Sequence, residues 1–270
     1  MFHAKRVAAS LISLSLLAGC MDRSKITPSP DTARRELALR GINYNEKTFV
    51  ERARTGEVVT VKLFLAAGMS PNVKDEKGQT PLIAAVQNEQ SAVVRALLAG
   101  GADINMQETK DGMTALMRAA RDGSSAMAKL LLEQRADVNR KANHGETALM
   151  YSAAKESPEI VQSLLDRGAD LNASDDNVGT ALAWAAYYNR LDMLRTLLAK
   201  GADPNIKNKQ GVTALMVAAS NGHQEVIREL LDKGADINAK DMDGMTAQAW
   251  ATKTHHDQTA QMLQQARQKK

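Results

Sequence analysis

Apolar residues along this chain fall into short clusters that recur with one internal spacing. Val226, Ile227, Leu230 and Leu231 occupy i, i+1, i+4 and i+5, a single stripe on a helix. Gly234 follows at the point where a left-handed residue would end that helix. Upstream, Thr213 precedes an apolar run and can cap the first free amides of a shorter helix. The Ala218-Ala219 pair in that run, echoed by Ala119-Ala120 and Ala185-Ala186, lets neighbouring helices approach closely. The polar stretch from Asn238 to Gly244 is rich in turn formers and joins one cluster to the next as a finger. The pattern predicts units of helix, turn, helix and finger, an all-α architecture.

The units keep a beat of about 33 residues. Thr80, Thr114, Thr147, Thr180, Thr213 and Thr246 each open a similar phrase, and Asn105, Asn139, Asn172, Asn205 and Asn238 close another. Such a period marks a solenoid, in which each unit buries its apolar face on its neighbours. Seven units are legible. The first is degenerate, carried by Phe49, Ala53, Gly56, Val58, Leu63, Phe64, Gly68 and Asn72. The last ends in Gln264, Gln265, Lys269 and Lys270, the polar outer face that a terminal unit requires. Seven layers about 8–10 Å apart make a rod of roughly 55–70 Å.

The best copy runs Gly211-Val212-Thr213-Ala214-Leu215, Ala218-Ala219, Gly222-His223, Leu230-Leu231 and Gly234-Ala235-Asp236-Ile237-Asn238. This resembles the ankyrin repeat over residues 46–270, which implies an ankyrin solenoid with hairpin-like fingers and a concave binding groove. Several positions depart from the family phrase. The histidine after Thr-Pro-Leu is replaced by Ile83, Met117, Met150, Ala183, Met216 and Ala249. Soft methionine there fills the gap, so among the thirteen methionines Met117, Met150 and Met216 read as core rather than as copper ligands. The finger between Asn105 and Gly112 carries one extra residue, and Val178-Gly179 before Thr180 predicts a differently bent finger. Arg135 stands where every other complete unit has the helix-ending glycine.

The first residues set an expectation about compartment. Lys5-Arg6, an apolar run from Val7 to Leu17 and then Leu17-Ala18-Gly19-Cys20 read as a secretory signal, too short to span a bilayer. Leu-Ala-Gly-Cys is similar to the lipobox of bacterial lipoproteins. The resemblance implies cleavage after residue 19, lipid on Cys20 and a place in the cell envelope facing the periplasm. Met21, rather than an acidic residue, after the cysteine favours the outer membrane. Residues 20–45, with Ile26-Thr27-Pro28-Ser29-Pro30, read as a flexible tether reaching about 25 Å. The chain has one cysteine, so acylation leaves no thiol and no disulfide.

Charge and chemistry narrow the function further. Removing Lys5 and Arg6 lowers the formal net charge of +4 by two, which together with export excludes nucleic acid as a partner. No Ser/His/Asp or Cys/His set and no phosphate loop is found, so neither a catalytic residue nor a cofactor is expected. Adjacent His255-His256 point apart on a helix and make a poor metal pair. Asp75, Asp175 and Asp241 hold the family's turn-bracing position. Tyr151, Trp184 and Trp250 share one partly buried position and read as packing.

Tyr187 and Tyr188 differ, because they take the two positions that face the groove in ankyrin solenoids. The equivalent positions of neighbouring units hold Arg121-Asp122, Ala154-Lys155 and Ser220-Asn221. Tyrosine beside Arg and Lys has the composition of an interface hot spot. The expected partner surface is therefore Tyr187, Tyr188, Arg121, Asp122, Lys155, Ser220 and Asn221. The reading is a monomeric, non-catalytic module that binds an unidentified protein through the concave groove and finger tips and contacts the membrane only through its lipid. Alternatives are an immunity protein that neutralises a secreted toxin and a structural envelope scaffold.

Overall fold

A computed structural model describes residues 27–268. Among them lie fifteen helices. These are α1 (Pro30–Leu39), α2 (Glu46–Arg54), α3 (Val58–Ala66), α4 (Pro81–Gln87), α5 (Ser91–Ala99), α6 (Ala115–Asp122), α7 (Ser125–Glu133) and α8 (Ala148–Lys155). They continue as α9 (Pro158–Leu165), α10 (Ala181–Tyr187), α11 (Leu191–Ala199), α12 (Ala214–Ser220), α13 (Gln224–Asp232), α14 (Ala247–Lys253) and α15 (Asp257–Gln268). From α2 onward they pair into seven units, the even-numbered inner helices stacking on one another and the odd-numbered outer helices forming a second layer. None is long and apolar enough to cross a membrane.

Each inner helix from α4 onward starts because its threonine hydroxyl accepts the backbone N–H three residues on. The distances run from 3.2 Å (Ile83 N to Thr80) to 3.5 Å (Met150 N to Thr147). In two units the cap is reciprocal: Thr114 N–H and Thr147 N–H donate to the sulfurs of Met117 and Met150 at 3.5 and 3.4 Å. A thioether thus takes the place that Glu or Gln fills in the usual capping box. The outer helices supply the core. Phe64, Leu97, Leu131, Leu164, Leu197, Leu230 and Leu263, one per unit, form a column with no exposed surface. Each such side chain stabilises the stack by about 1.5–3 kcal/mol.

Two polar ladders hold the units in register. Asn72, Asn105, Asn139, Asn172 and Asn205 each accept, through Oδ1, the backbone N–H of the aspartate opening the next unit's loop, at 2.8–3.1 Å. Neighbouring fingers share single backbone bonds, such as Asp176 N to His144 O at 2.8 Å and Met242 N to Gln210 O at 2.9 Å. Those isolated bonds give hairpin-like fingers without regular strands among the described residues.

The structure corrects the tether. Residues 30–39, expected to be flexible, form α1, capped by Ser29 with Pro30 at its first position. This helix packs on α3 as a further outer helix, with Ala33 and Leu37 buried. Ile42 N–H bonds Leu37 O at 2.9 Å, as Met69 N–H bonds Phe64 O at 3.0 Å, so Leu37 extends the apolar column by one layer. Among the described residues the solenoid therefore begins at Pro30 rather than residue 46, with one further outer helix ahead of the first helix pair. Cys20 and the signal segment lie outside the described residues.

Two other departures appear as the sequence suggests. Arg135 has φ 64°, whereas Gly68, Gly101, Gly168, Gly201 and Gly234 take the equivalent turn elsewhere. A non-glycine residue there costs about 1–2 kcal/mol, so Arg135→Gly is expected to raise the melting temperature by a few degrees in a thermal scan. An unchanged or lower value would show that the exposed arginine contributes something this backbone does not reveal. The finger before Thr180 bends differently because its glycine comes one residue late: Gly179 has φ 116°, and Ser174 bridges to Thr180.

Candidate functional site

The inner-helix layer carries a run of four aromatic rings across two adjacent units. Tyr151 of α8 meets Trp184 of α10 edge-on at 5.4 Å between centroids. Trp184 meets Tyr188 at 6.1 Å, and Tyr188 meets Tyr187 at 5.0 Å in a T-shaped pair. The first two rings are half-buried, while Tyr187 and Tyr188 are 44% and 46% exposed at the end of α10. The platform's inner edge is thus packed and its outer edge offered to solvent. Offset and edge-on ring contacts contribute about 0.5–1.5 kcal/mol each beyond area burial, which stiffens the exposed pair.

Neighbouring units clamp its backbone. His223, in the turn before α13, places Nε2 3.1 Å from Tyr187 O. Arg190 donates through Nε to Ala154 O at 3.1 Å and lies 3.5 Å from Glu156. Burial, with Glu146 nearby, pushes the Tyr151 phenol up to about 12, so this ring stays neutral at neutral pH.

The other groove residues flank the platform without joining it. Arg121 and Asp122, both exposed at the end of α6, lie 3.8 Å apart. Lys155 ends α8 exposed, its methylene stem lying against Gly123, where an added Cβ would stand 3.1 Å from Cε. Ser220 and Asn221 close α12 and bond to each other at 3.3 Å. The tyrosines are therefore brought together with Tyr151 and Trp184, which the sequence pattern sets apart as packing.

Sequence reasoning also missed the brackets between finger and helix. The carboxylate of Asp175 takes three backbone N–H groups on Oδ1, from Asn177, Val178 and Gly179 at 3.0, 2.8 and 2.7 Å. Its Oδ2 accepts the Trp184 indole N–H at 2.6 Å. Asp241 does the same for Trp250 at 2.8 Å. In the unit with the extra finger residue the bracket is ionic. Glu108, 6% exposed, accepts a hydrogen bond from Arg118, 7% exposed, with Asp111 a further 3.5 Å contact. Two signals were available: an Asp nine residues before a Trp, twice over, and an Arg in the one inner helix preceded by a longer finger.

Among the described residues, no group of three or more His, Cys, Asp or Glu side chains could hold a metal ion. An open cleft between fingers is lined by Lys141, Asn143, Asp176, Lys207 and Lys209. The family model described as ankyrin repeats (3 copies) matches residues 50–142, 94–175, 140–208 and 182–270. The chain belongs to the ankyrin-repeat family. No curated protein matches it. Ankyrin repeats act as modules of protein–protein interaction, and in this ankyrin protein the aromatic platform lies midway along the inner-helix layer.

Proposed function

We propose that this ankyrin protein is a lipid-anchored, non-catalytic module of the bacterial envelope that binds a protein partner through its concave groove. The observation that carries the reading is the platform. Two exposed tyrosines, stiffened by two half-buried rings, stand on a rigid solenoid between Arg121 and Lys155 on one side and Ser220 and Asn221 on the other. Rigid aromatics bind with little loss of side-chain entropy, and such anchors dominate interface energetics. Lipid on Cys20 would hold the module at the periplasmic face of a membrane. With α1 starting at Pro30, nine residues separate it from the lipid site, a reach of at most about 30 Å.

Affinity capture from envelope extract of the source cell tests the reading, with the lipid-free chain and a Tyr187→Ala/Tyr188→Ala variant side by side. One protein is expected to be enriched by the wild type and lost with the variant, whose affinity should fall about 30-fold or more. Equal capture by both would move the binding site to the finger tips or the convex face. Metabolic labelling with a palmitate analogue tests the anchor in the same cells. The full chain should be labelled and Cys20→Ser should not.

A further inference from the structure

We infer that Asp175, in the finger and out of contact with any partner, is the positioning residue of the tyrosine platform. The inference rests on the groove reading above. Asp175 is 1% exposed, and both its oxygens are occupied, one by three backbone amides and one by the Trp184 indole. The finger turn thereby fixes the direction of the indole N–H, and with it the plane of the ring. Trp184 is wedged between Tyr151 and Tyr188, and Tyr188 carries Tyr187. A turn of the indole therefore moves the exposed pair.

The last unit provides an internal control. Asp241 holds Trp250 at 2.8 Å in the same way, but Lys253 lies over that indole at 5.0 Å and the two groove positions hold Lys253 and Thr254. If the bracket were only a strap between finger and helix, breaking it in either unit would have the same consequences. Asparagine is the right substitution in both. It keeps an acceptor for the turn amides, yet can present an N–H to the indole N–H, which expels the ring from its seat.

The experiment compares Asp175→Asn with Asp241→Asn in the lipid-free chain carrying 3-fluorotyrosine, with ring resonances assigned by single Tyr→Phe variants. Asp175→Asn is expected to shift the Tyr187 and Tyr188 resonances and to red-shift the emission of Trp184, read in a Trp250→Phe background. It should also weaken capture of the partner by about tenfold. Asp241→Asn should lower the thermal midpoint to a similar degree and leave both tyrosine resonances and capture unchanged. Trp184→Phe, which spares the finger turn, should shift the same two resonances. The inference is overturned if Asp175→Asn and Trp184→Phe leave the tyrosine resonances in place, or if Asp241→Asn moves them equally. The resonances report positioning without any partner. Failure of the groove reading shows separately, as capture that survives Tyr187→Ala/Tyr188→Ala.

Discussion

Glu108→Ala is expected to destabilise the solenoid by about 3–5 kcal/mol, more than breaking either of the Asp–Trp brackets. Its partner Arg118 is buried in α6, its Nε has no hydrogen-bond acceptor, and Asp111 alone, at 3.5 Å and half-exposed, would remain to face the guanidinium. The cost arises from stranding a cation rather than from losing an attraction. The pair itself gains little over apolar packing, so Glu108→Leu/Arg118→Met should recover most of the loss. The effect should also spread, because the unit lies inside the stack and interior units share interfaces on both sides. Urea denaturation followed by circular dichroism would measure both variants. A Glu108→Ala change within about 0.5 kcal/mol of wild type would mean that water reaches Arg118.

The repeat architecture was legible because each structural device occupies a fixed place in the period. Threonine caps, the leucine column and the helix-ending glycines are local requirements of one unit, and six or seven copies make each requirement visible. The strained exception at Arg135 was legible for the same reason, as a single break in a column of glycines. Tyr187 and Tyr188 could be picked out because their positions are small or polar in most other units.

What the sequence hides depends on pairs rather than columns. The Asp175–Trp184 bond joins a finger to a helix, and each partner is accounted for without the other, the aspartate by bracing a turn and the tryptophan by packing. The ionic version, Glu108–Arg118, looks like surface charge, since neither residue type suggests burial until the longer finger is folded against α6. The further outer helix at the start is hidden by a shortened connection. Leu37 precedes Phe64 by 27 residues instead of 33, because Ile42-Asn43-Tyr44-Asn45 replaces a full finger. A period search discards such a copy, and Pro28-Ser29-Pro30 reads as linker although Pro30 is a favourable helix start.

That further helix leads to the second large effect. A chain beginning at residue 27 is expected to unfold like one beginning at residue 21, whereas a chain beginning at Asn43 should lose about 2–5 kcal/mol. The shorter chain lacks Leu37 and Ala33, which cover the outer face of α3 beside Phe64. It also lacks Arg34, which donates to Ala67 O at 3.2 Å and lies over the Tyr44 ring at 5.3 Å. Tyr44 would keep its own 3.0 Å bond to Ala67 O, but its stacking on Phe64 would then face water. Since a solenoid end needs a polar outer face, the truncated chain should also self-associate, which sedimentation would detect. Leu37→Ala in the full-length solenoid separates the two causes. It removes the buried leucine and keeps the polar side of α1, so it should lose stability without associating. If all three chains unfold at the same urea concentration, α1 is an ornament on the first unit and the stack is self-sufficient from Glu46.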